Sequence, residues 1–388
     1  MLNRILLAVF VLVSPRIAEA ITADEVVERV QQHDADARAA QAYAAFVDSQ
    51  RVSAALYPNP SLAWTRQTFD AEREDQITLN VPLDLSGRRN ARERIAHAKG
   101  LAAESIAADA NRGATVRALR LFYRAVAASE RERVQASAVA RLDEAARVVS
   151  RRREEGHTAG YDEARVQIER EIAASALRET RARRRHLVRE LAILLGLEDL
   201  QIDGDLGLDE TSPADAEERR SVALLRSAKD RAEAAGAAWT WIPLLTLSGG
   251  PRLGVLDQPG SGYVAGISVG LPIFSRGQGL DAQAEAAARA MHARAEAAAR
   301  RARLEEERAA LVFATARDES VRFTKATVAR VERLERATET GYREGQRTVV
   351  ELIDARRVRT EVALRALDLA LAAKTAHVEL RAARGEFE

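Results

Sequence analysis

The chain has 388 residues, with 59 lysines and arginines against 58 aspartates and glutamates; the resulting net charge of +1 gives no electrostatic case for a nucleic-acid partner. It contains no cysteine, which excludes disulfides, thiolate metal sites and a lipid attached through cysteine behind a leader. An exported chain of this kind must be held together by packing or by oligomerisation.

Residues 1–20 read as a secretory signal peptide: Arg4 near the start, an apolar run over 5–13, a breaker at Pro15 and the small-x-small ending Ala18-Glu19-Ala20, with cleavage expected after Ala20. The apolar run is about nine residues long, against the ~20 needed to span a bilayer. No other stretch approaches a membrane-spanning helix, so any membrane segment must be made of strands.

Thr22-Ala23-Asp24-Glu25 supplies a hydroxyl at N-cap and a carboxylate at N3, a capping box that starts a helix expected to run to about Tyr57. Pro58-Asn59-Pro60 ends it, because proline has no amide donor and biases its predecessor away from helical angles. Two strands are predicted over about 61–69 and 76–83, joined by the charged loop 70–75. In the second, Ile77, Leu79, Val81 and Leu83 alternate with Gln76, Thr78, Asn80 and Pro82, the period of a sheet apolar on one face only. From Arg88 to about Glu154 only Gly100 and Gly113 interrupt the helical composition, giving a rod of ~100 Å at 1.5 Å per residue. A turn at 155–160 leads to a helix over about 161–197, and the Gly/Asp-rich linker 198–211 is the natural seam of the chain.

Beyond the seam, Ser212-Pro213-Ala214-Asp215 provides an N-cap serine, a proline at N1 and a carboxylate at N3 for a helix expected to end near Trp241. Strands are predicted over about 244–251 and 263–273; in the latter Ala265, Ile267, Val269, Leu271 and Ile273 share one face, and Gly266, Ser268 and Gly270 the other. A long helix over about 278–343, a turn at 344–346 and a last helix over about 348–383 complete the chain. The order repeats: Ile77, Pro82 and Gly87 match Ile267, Pro272 and Gly277 at one common spacing of 190 residues. Residues 21–205 and 206–388 therefore read as two copies of one unit of helix, two strands and two long helices.

Four strands of this length suit a tilted outer-membrane crossing but cannot close a barrel alone. Two chains would give 8 strands and three would give 12, and helices this long favour the larger ring. All three tryptophans, Trp64, Trp239 and Trp241, fall in or just before the predicted strands. That placement fits a belt at the membrane interface, where indole has one apolar and one wet side, although three tryptophans could also cap an ordinary core.

The segments Leu56-Tyr57-Pro58-Asn59-Pro60, Val81-Pro82-Leu83-Asp84-Leu85-Ser86-Gly87-Arg88-Arg89, Leu271-Pro272-Ile273-Phe274 and the run from Gly341 to Ala355 resemble the TolC family of outer membrane efflux proteins, across essentially the whole mature chain. The resemblance implies a mainly α fold with a small β part: a homotrimer whose 12-stranded barrel in outer membrane lipid continues into a periplasmic α-barrel. It also implies a periplasmic adaptor (membrane fusion) protein and an inner-membrane pump as partners. The runs at 82–89 and 271–274 are most similar to the heavy-metal branch served by pumps of the resistance-nodulation-division type. Cargo identity, pump and adaptor are not encoded in these residues.

In that family the helix-to-helix turns form the periplasmic tip. By the repeat they are residues 154–160 and 342–347 here, so Glu155, Gly156, His157, Tyr342, Glu344 and Gly345 are expected to meet the adaptor. The family pattern of an arginine followed by acidic residues maps onto Arg347, Glu351 and Asp354. Three apart on a helix, Glu351 and Asp354 share a face and are expected to form carboxylate rings at a tip gate, with Arg347 tying neighbouring helices shut and Asp162 as the gate residue of the first copy. The first copy departs from the pattern, with Arg153 where the second has Tyr342 and Asp162 opposite Glu351. The six histidines, His33, His97, His157, His186, His292 and His377, lack metal-ligand spacing, and no nucleophile elbow or phosphate loop is present, so neither an enzyme nor a cofactor is expected. A type I protein-secretion duct and a non-conducting exported coiled-coil scaffold are the alternative readings.

Overall fold

The computed structural model describes residues 20–69, 72–155, 160–208, 218–236, 242–255 and 261–387. The segment up to residue 19 expected to be a signal peptide, Gly156, His157, the segment Ser212-Pro213-Ala214-Asp215 expected to cap a helix, Trp239 and Trp241 lie outside them. The elements in chain order are β1 (Ala20–Ile21), α1 (Ala23–His33), α2 (Ala35–Ala54), β2 (Ser61–Phe69), β3 (Glu72–Leu83), α3 (Arg88–Glu154), α4 (Gly160–Leu194), β4 (Gln201–Ile202), α5 (Arg220–Ala235), β5 (Leu245–Val255), β6 (Ser261–Val269), α6 (Gln278–Phe323), a π turn (Thr324–Val328), α7 (Ala329–Arg343) and α8 (Val349–Ala383). They fall into two compact units, each drawing on both halves of the chain.

One unit comprises the described residues of Ala35–Gly113, Ala214–Arg308 and Arg381–Glu388. It holds a four-stranded antiparallel sheet in the order β2-β3-β5-β6. Leu62 lies opposite Leu79, Trp64 opposite Ile77, Val81 opposite Leu247 and Leu247 opposite Ile267, so these residues share one face. The other face carries Ser61, Thr65, Thr78, Asn80, Thr246, Ser248 and Ser268 by the same register. Gly250 is required where the β3–β5 pairing is interrupted between Gln76–Arg252 and Leu79–Gly249, because a Cβ there would collide with the Ile77 carbonyl oxygen. Beside the sheet, Ala98, Ala102, Ala228, Ala232 and Ala295 pack with Leu225 and Met291 among α3, α5 and α6. Such small side chains let helix backbones approach closely. Gly100 shows how closely, since a Cβ there would lie 2.9 Å from the Asp48 carboxylate.

The other unit comprises the described residues of Met1–Asp34, Ala114–Pro213 and Ala309–Leu380. Here β1 pairs in parallel with β4, and the strap that follows is pinned to the helices: Lys374 Nζ donates to the Gly207 carbonyl at 2.7 Å while lying over the Tyr123 ring. A Cβ at Gly204 would meet the Phe122 ring at 2.8 Å.

Several expectations are corrected: β3 begins at Glu72, inside the loop expected at 70–75, and the helix expected from Ser212 to about Trp241 spans Arg220–Ala235. The helix predicted from Thr22 to Tyr57 begins with its capping box, Thr22 N donating to Glu25 Oε2 at 2.8 Å and Glu25 N to Thr22 Oγ1 at 3.4 Å, but it breaks at Asp34. Asp34 leaves the helical region at ψ 124°, and its nearly buried carboxylate accepts a bond from Arg117 at 3.3 Å. Aspartate is a weak helix former in an interior position, and the ion pair offsets the lost helical bond. The helix predicted over 278–343 is interrupted by the π turn at Thr324–Val328, one wide turn inserted in an α-helical path. The long helix at Arg88–Glu154 stands as expected, with 67 residues.

Candidate functional site

The turn between α7 and α8 is built by a glycine and a capping box. Gly345 has φ +76°, Gln346 N donates to Gly341 O at 2.8 Å and Gly345 N to Tyr342 O at 3.2 Å, the paired bonds of a Schellman stop. Three residues later α8 starts: Thr348 N donates to Glu351 Oε2 at 2.8 Å and Glu351 N to Thr348 Oγ1 at 3.3 Å. Glu351 thus occupies N3 of a capping box. It also accepts a bond from Arg347 Nη1 at 2.5 Å. The Thr348 backbone bond, followed by the Arg347 bond, holds its carboxyl below the usual range. Arg347 therefore pairs along its own chain segment. Asp354, one turn on, is exposed and pairs with Arg357 at 2.8 Å.

Across the α3–α4 turn the acidic partner is Glu163. It accepts from Ser150 Oγ at 2.8 Å and from Arg153, and these two bonds, in that order, lower its pKa. Asp162 lies beside it, partly buried in the first turn of α4, with no ion pair among the described residues. The two turns converge on one apolar cluster: Ala145 and Val149 of α3, Val166 of α4, Tyr342 of α7, and Val349, Leu352 and Ile353 of α8. The Arg152 guanidinium stacks over the Tyr342 ring at 4.8 Å and donates to the Arg343 carbonyl. Glu344 forms the C-cap of α7, and Glu155 is exposed in the turn after α3.

The same unit contains a buried charge cluster that sequence reasoning missed. Glu335 of α7 is 4% exposed and lies 3.6 Å from Arg141 of α3, while Arg359 of α8 donates to its second oxygen. Arg356, 7% exposed, donates to the Arg141 carbonyl. Burial pulls the Arg141 guanidinium below its ordinary value; the nearby Arg359 and Arg356 act in the same direction, and Glu335 only partly opposes them. The readable signal was position: Glu335 falls on the buried stripe Val331, Thr338, Tyr342.

The sheet presents its apolar face without cover. Leu62 is 73% exposed, Trp64 63% and Ile267 71%. The outer edges of β2 and β6 have no strand partner among the described residues. Toward the hairpin end Arg66 makes a bidentate bond to Asp75, Nε to Oδ1 and Nη2 to Oδ2 at 2.8 Å each, with its guanidinium over Trp64 at 5.0 Å. At the helical end the Asp84 carboxyl organises the exit from β3, accepting from Ser86 N at 3.0 Å and Arg89 N at 3.2 Å. Burial raises its pKa, but the Ser86 and Arg89 bonds outweigh that and leave it lowered. Gly87, at φ 73°, and Gly277, at φ 92°, make the two matching turns into α3 and α6. No group of histidines and acids able to hold a metal ion occurs among the described residues.

A one-sided apolar sheet followed by long paired helices is a fold shared with solved structures of outer-membrane channels. The outer membrane channel MtrE of Neisseria gonorrhoeae, in its open state, superposes over 94% of this chain and 88% of its own with a TM-score of 0.73 at 17% identity. CusC superposes over 95% and 93% with a TM-score of 0.70 at 15% identity, and the outer-membrane channel OprN over 94% and 89% at 0.69 and 18%. In sequence, the family described as outer membrane efflux protein matches residues 219–386. The cobalt-zinc-cadmium resistance protein CzcC of Cupriavidus metallidurans is 26% identical over 240 residues, 59% of this chain and 57% of that relative. The aligned stretch thus spans little more than half of the relative's length. Residues 219–386 are thus similar to the outer membrane efflux protein family, and the fold of the whole chain is that of the channel structures.

Proposed function

We propose that this protein is the outer-membrane channel of a tripartite efflux system, a passive duct that carries cargo from an inner-membrane pump and its periplasmic adaptor to the exterior. The observation that carries the reading is the sheet: one face apolar and uncovered, the other lined by serine, threonine and asparagine, with both edges open. In lipid an unpaired edge is untenable, so copies must join β2 to β6 until the sheet closes. With four strands per chain, three copies give a 12-stranded barrel, polar inside. The 12 residues of β3, at ~3.3 Å each and a tilt of ~40°, cross roughly 30 Å, enough for the ~25 Å apolar band of an outer-membrane barrel.

The two halves, 21–205 and 206–388, act as repeats; the matching hairpins that end at the left-handed Gly87 and Gly277 support this division. Glu351 and Asp354, exposed at the start of α8, face the conduit as acidic rings, with Asp162 and Glu163 on the first repeat. Glu155, Gly156, His157, Tyr342, Glu344 and Gly345 form the turns offered to the adaptor. The name of the CzcC relative supports divalent metal cations as cargo, and the resemblance of the runs at 82–89 and 271–274 supports a resistance-nodulation-division pump as the engine.

The test is single-channel conductance of the purified protein in planar bilayers, with divalent cations added on the side of the helical turns. Small cation-selective openings, blocked by divalent ions and relieved by Glu351→Gln with Asp354→Asn, are expected. A water-soluble helical oligomer that never enters the bilayer would refute the channel reading in favour of a scaffold.

A further inference from the structure

The hairpin between β2 and β3 marks the end of the sheet remote from the helices, since β2 follows α2 and β3 leads into α3. Register places Arg66 opposite Asp75 and Thr68 opposite Arg73, so Arg66, Thr68, Arg73 and Asp75 all stand on the face that carries Trp64, Ile77 and Leu79. Arg66 and Arg73 are diagonal neighbours, ~7–8 Å apart between Cα atoms. Asp75 engages Nε and Nη2 of Arg66, leaving Nη1 without a hydrogen-bond partner among the described residues. Arg73 is exposed and has no hydrogen bond or ion pair among the described residues. The opposite face differs at the same height: there Glu74 meets Arg252 one to one. Among the described residues the uncovered face therefore ends in two guanidiniums against one carboxylate, directly beyond an apolar field with an indole at its margin.

We propose that this end of the sheet is a binding site for the phosphorylated headgroup of an outer-leaflet glycolipid, with Arg73 and the free edge of Arg66 as the phosphate ligands. The inference rests on the outer-membrane reading above. Guanidinium matches phosphate by two parallel N–H bonds, and at the edge of a low-dielectric layer an uncompensated guanidinium needs an anionic partner. Asp75 fixes Arg66 in place, and Trp64 supports its plane, so little side-chain entropy is lost on binding. Leu62, Leu79 and Ile267 continue the same face toward the helices and would receive acyl chains. This combination selects an amphiphile with an anionic head over a free anion.

The test uses the full-length protein in phosphatidylcholine vesicles that are plain, doped with diphosphorylated lipid A, doped with the dephosphorylated lipid, or supplied with inorganic phosphate. Ion conductance in the plain vesicles reports on the outer-membrane reading by itself. Phosphorylated lipid A alone is expected to raise the thermal midpoint, with Arg73→Gln weakening lipid A binding about tenfold and Arg73→Lys restoring most of it. Equal stabilisation by the dephosphorylated lipid or by inorganic phosphate, or binding unchanged in Arg73→Gln, overturns the site while leaving a conducting channel intact. Absence of insertion in every vesicle overturns both.

Discussion

Replacing Glu335 with alanine would leave Arg141 and Arg359 facing a void in a part of the molecule where Glu335 itself is 4% exposed. Breaking a buried ion pair from one side costs roughly 3–5 kcal/mol, because the surviving charge keeps its desolvation and loses its partner. The guanidiniums are less enclosed than the carboxylate, with side chains 24% exposed at Arg141 and 36% at Arg359, so water would reach them partly. The lower end, about 3 kcal/mol, is the expected loss. Chemical unfolding of the detergent-extracted protein, followed by helical circular dichroism, measures it. Glu335→Gln should fall between wild type and alanine, since the amide oxygen still accepts one bond. The triple change Glu335→Met, Arg141→Met and Arg359→Met should recover most of the stability by replacing the whole charge cluster with packing. High salt should leave the effect largely intact, because buried pairs are weakly screened. A loss below ~0.5 kcal/mol for Glu335→Ala, of the size seen at exposed pairs, would refute the idea that this cluster ties α3, α7 and α8 together.

Gly345→Ala should cost about 1 kcal/mol purely through its φ of +76°, since a Cβ there meets nothing within 4 Å; Gly341→Ala gains helix propensity and displaces only the Arg347 stem, so thermal unfolding should separate the two. In the sheet, Gly250→Ala is expected to abolish an SDS-resistant oligomer on gels while Gly249→Ala, whose Cβ has 3.7 Å of room, is tolerated. The carboxyls of Glu163 and Glu351 have folded-state values below the unfolded 4.5, so their contribution is complete above that pH and drains away as the pH falls through the lowered values. A plot of thermal midpoint against pH should therefore drop below about 4.5, and Glu163→Gln with Glu351→Gln should flatten it; an unchanged slope would contradict the assignment. Thr348→Val, which deletes the reciprocal cap at α8, should lower stability by about 1 kcal/mol in the same assay.

The elements best read from sequence were those with one dominant local signal. Alternation at Ile77, Leu79, Val81 and Leu83 placed β3 on the right face, and unbroken helix formers between two turn clusters set α3 from Arg88 to Glu154. The break at Asp34 was illegible because its cause is remote in sequence, an ion pair with Arg117. The π turn at Thr324–Val328 has no proline or glycine to announce it. At the candidate site, Arg347, Glu351 and Asp354 were located by motif, but their company was not. Thr348-x-x-Glu351 is the same capping signature that was read correctly at Thr22 and overlooked here, because attention to charge concealed a local backbone role. Glu163 is distinguished from its neighbour Asp162 only by the three-dimensional proximity of Ser150 and Arg153. In a chain with 30% charged residues, pairing cannot be inferred from adjacency.

The unmated rims of β2 and β6 also constrain the life history of the protein. A solitary subunit would carry two rows of bare amides and carbonyls into hydrocarbon, each costing several kcal/mol, so it has no admissible resting place in a bilayer. On the proposed channel reading, birth of the pore is then a collective event, in which subunits must find one another before or while they sink into lipid. Its yield should rise steeply with subunit concentration. A copy able to lend one rim but not the other would poison its neighbours, making defects confined to β6 dominant over the intact gene product.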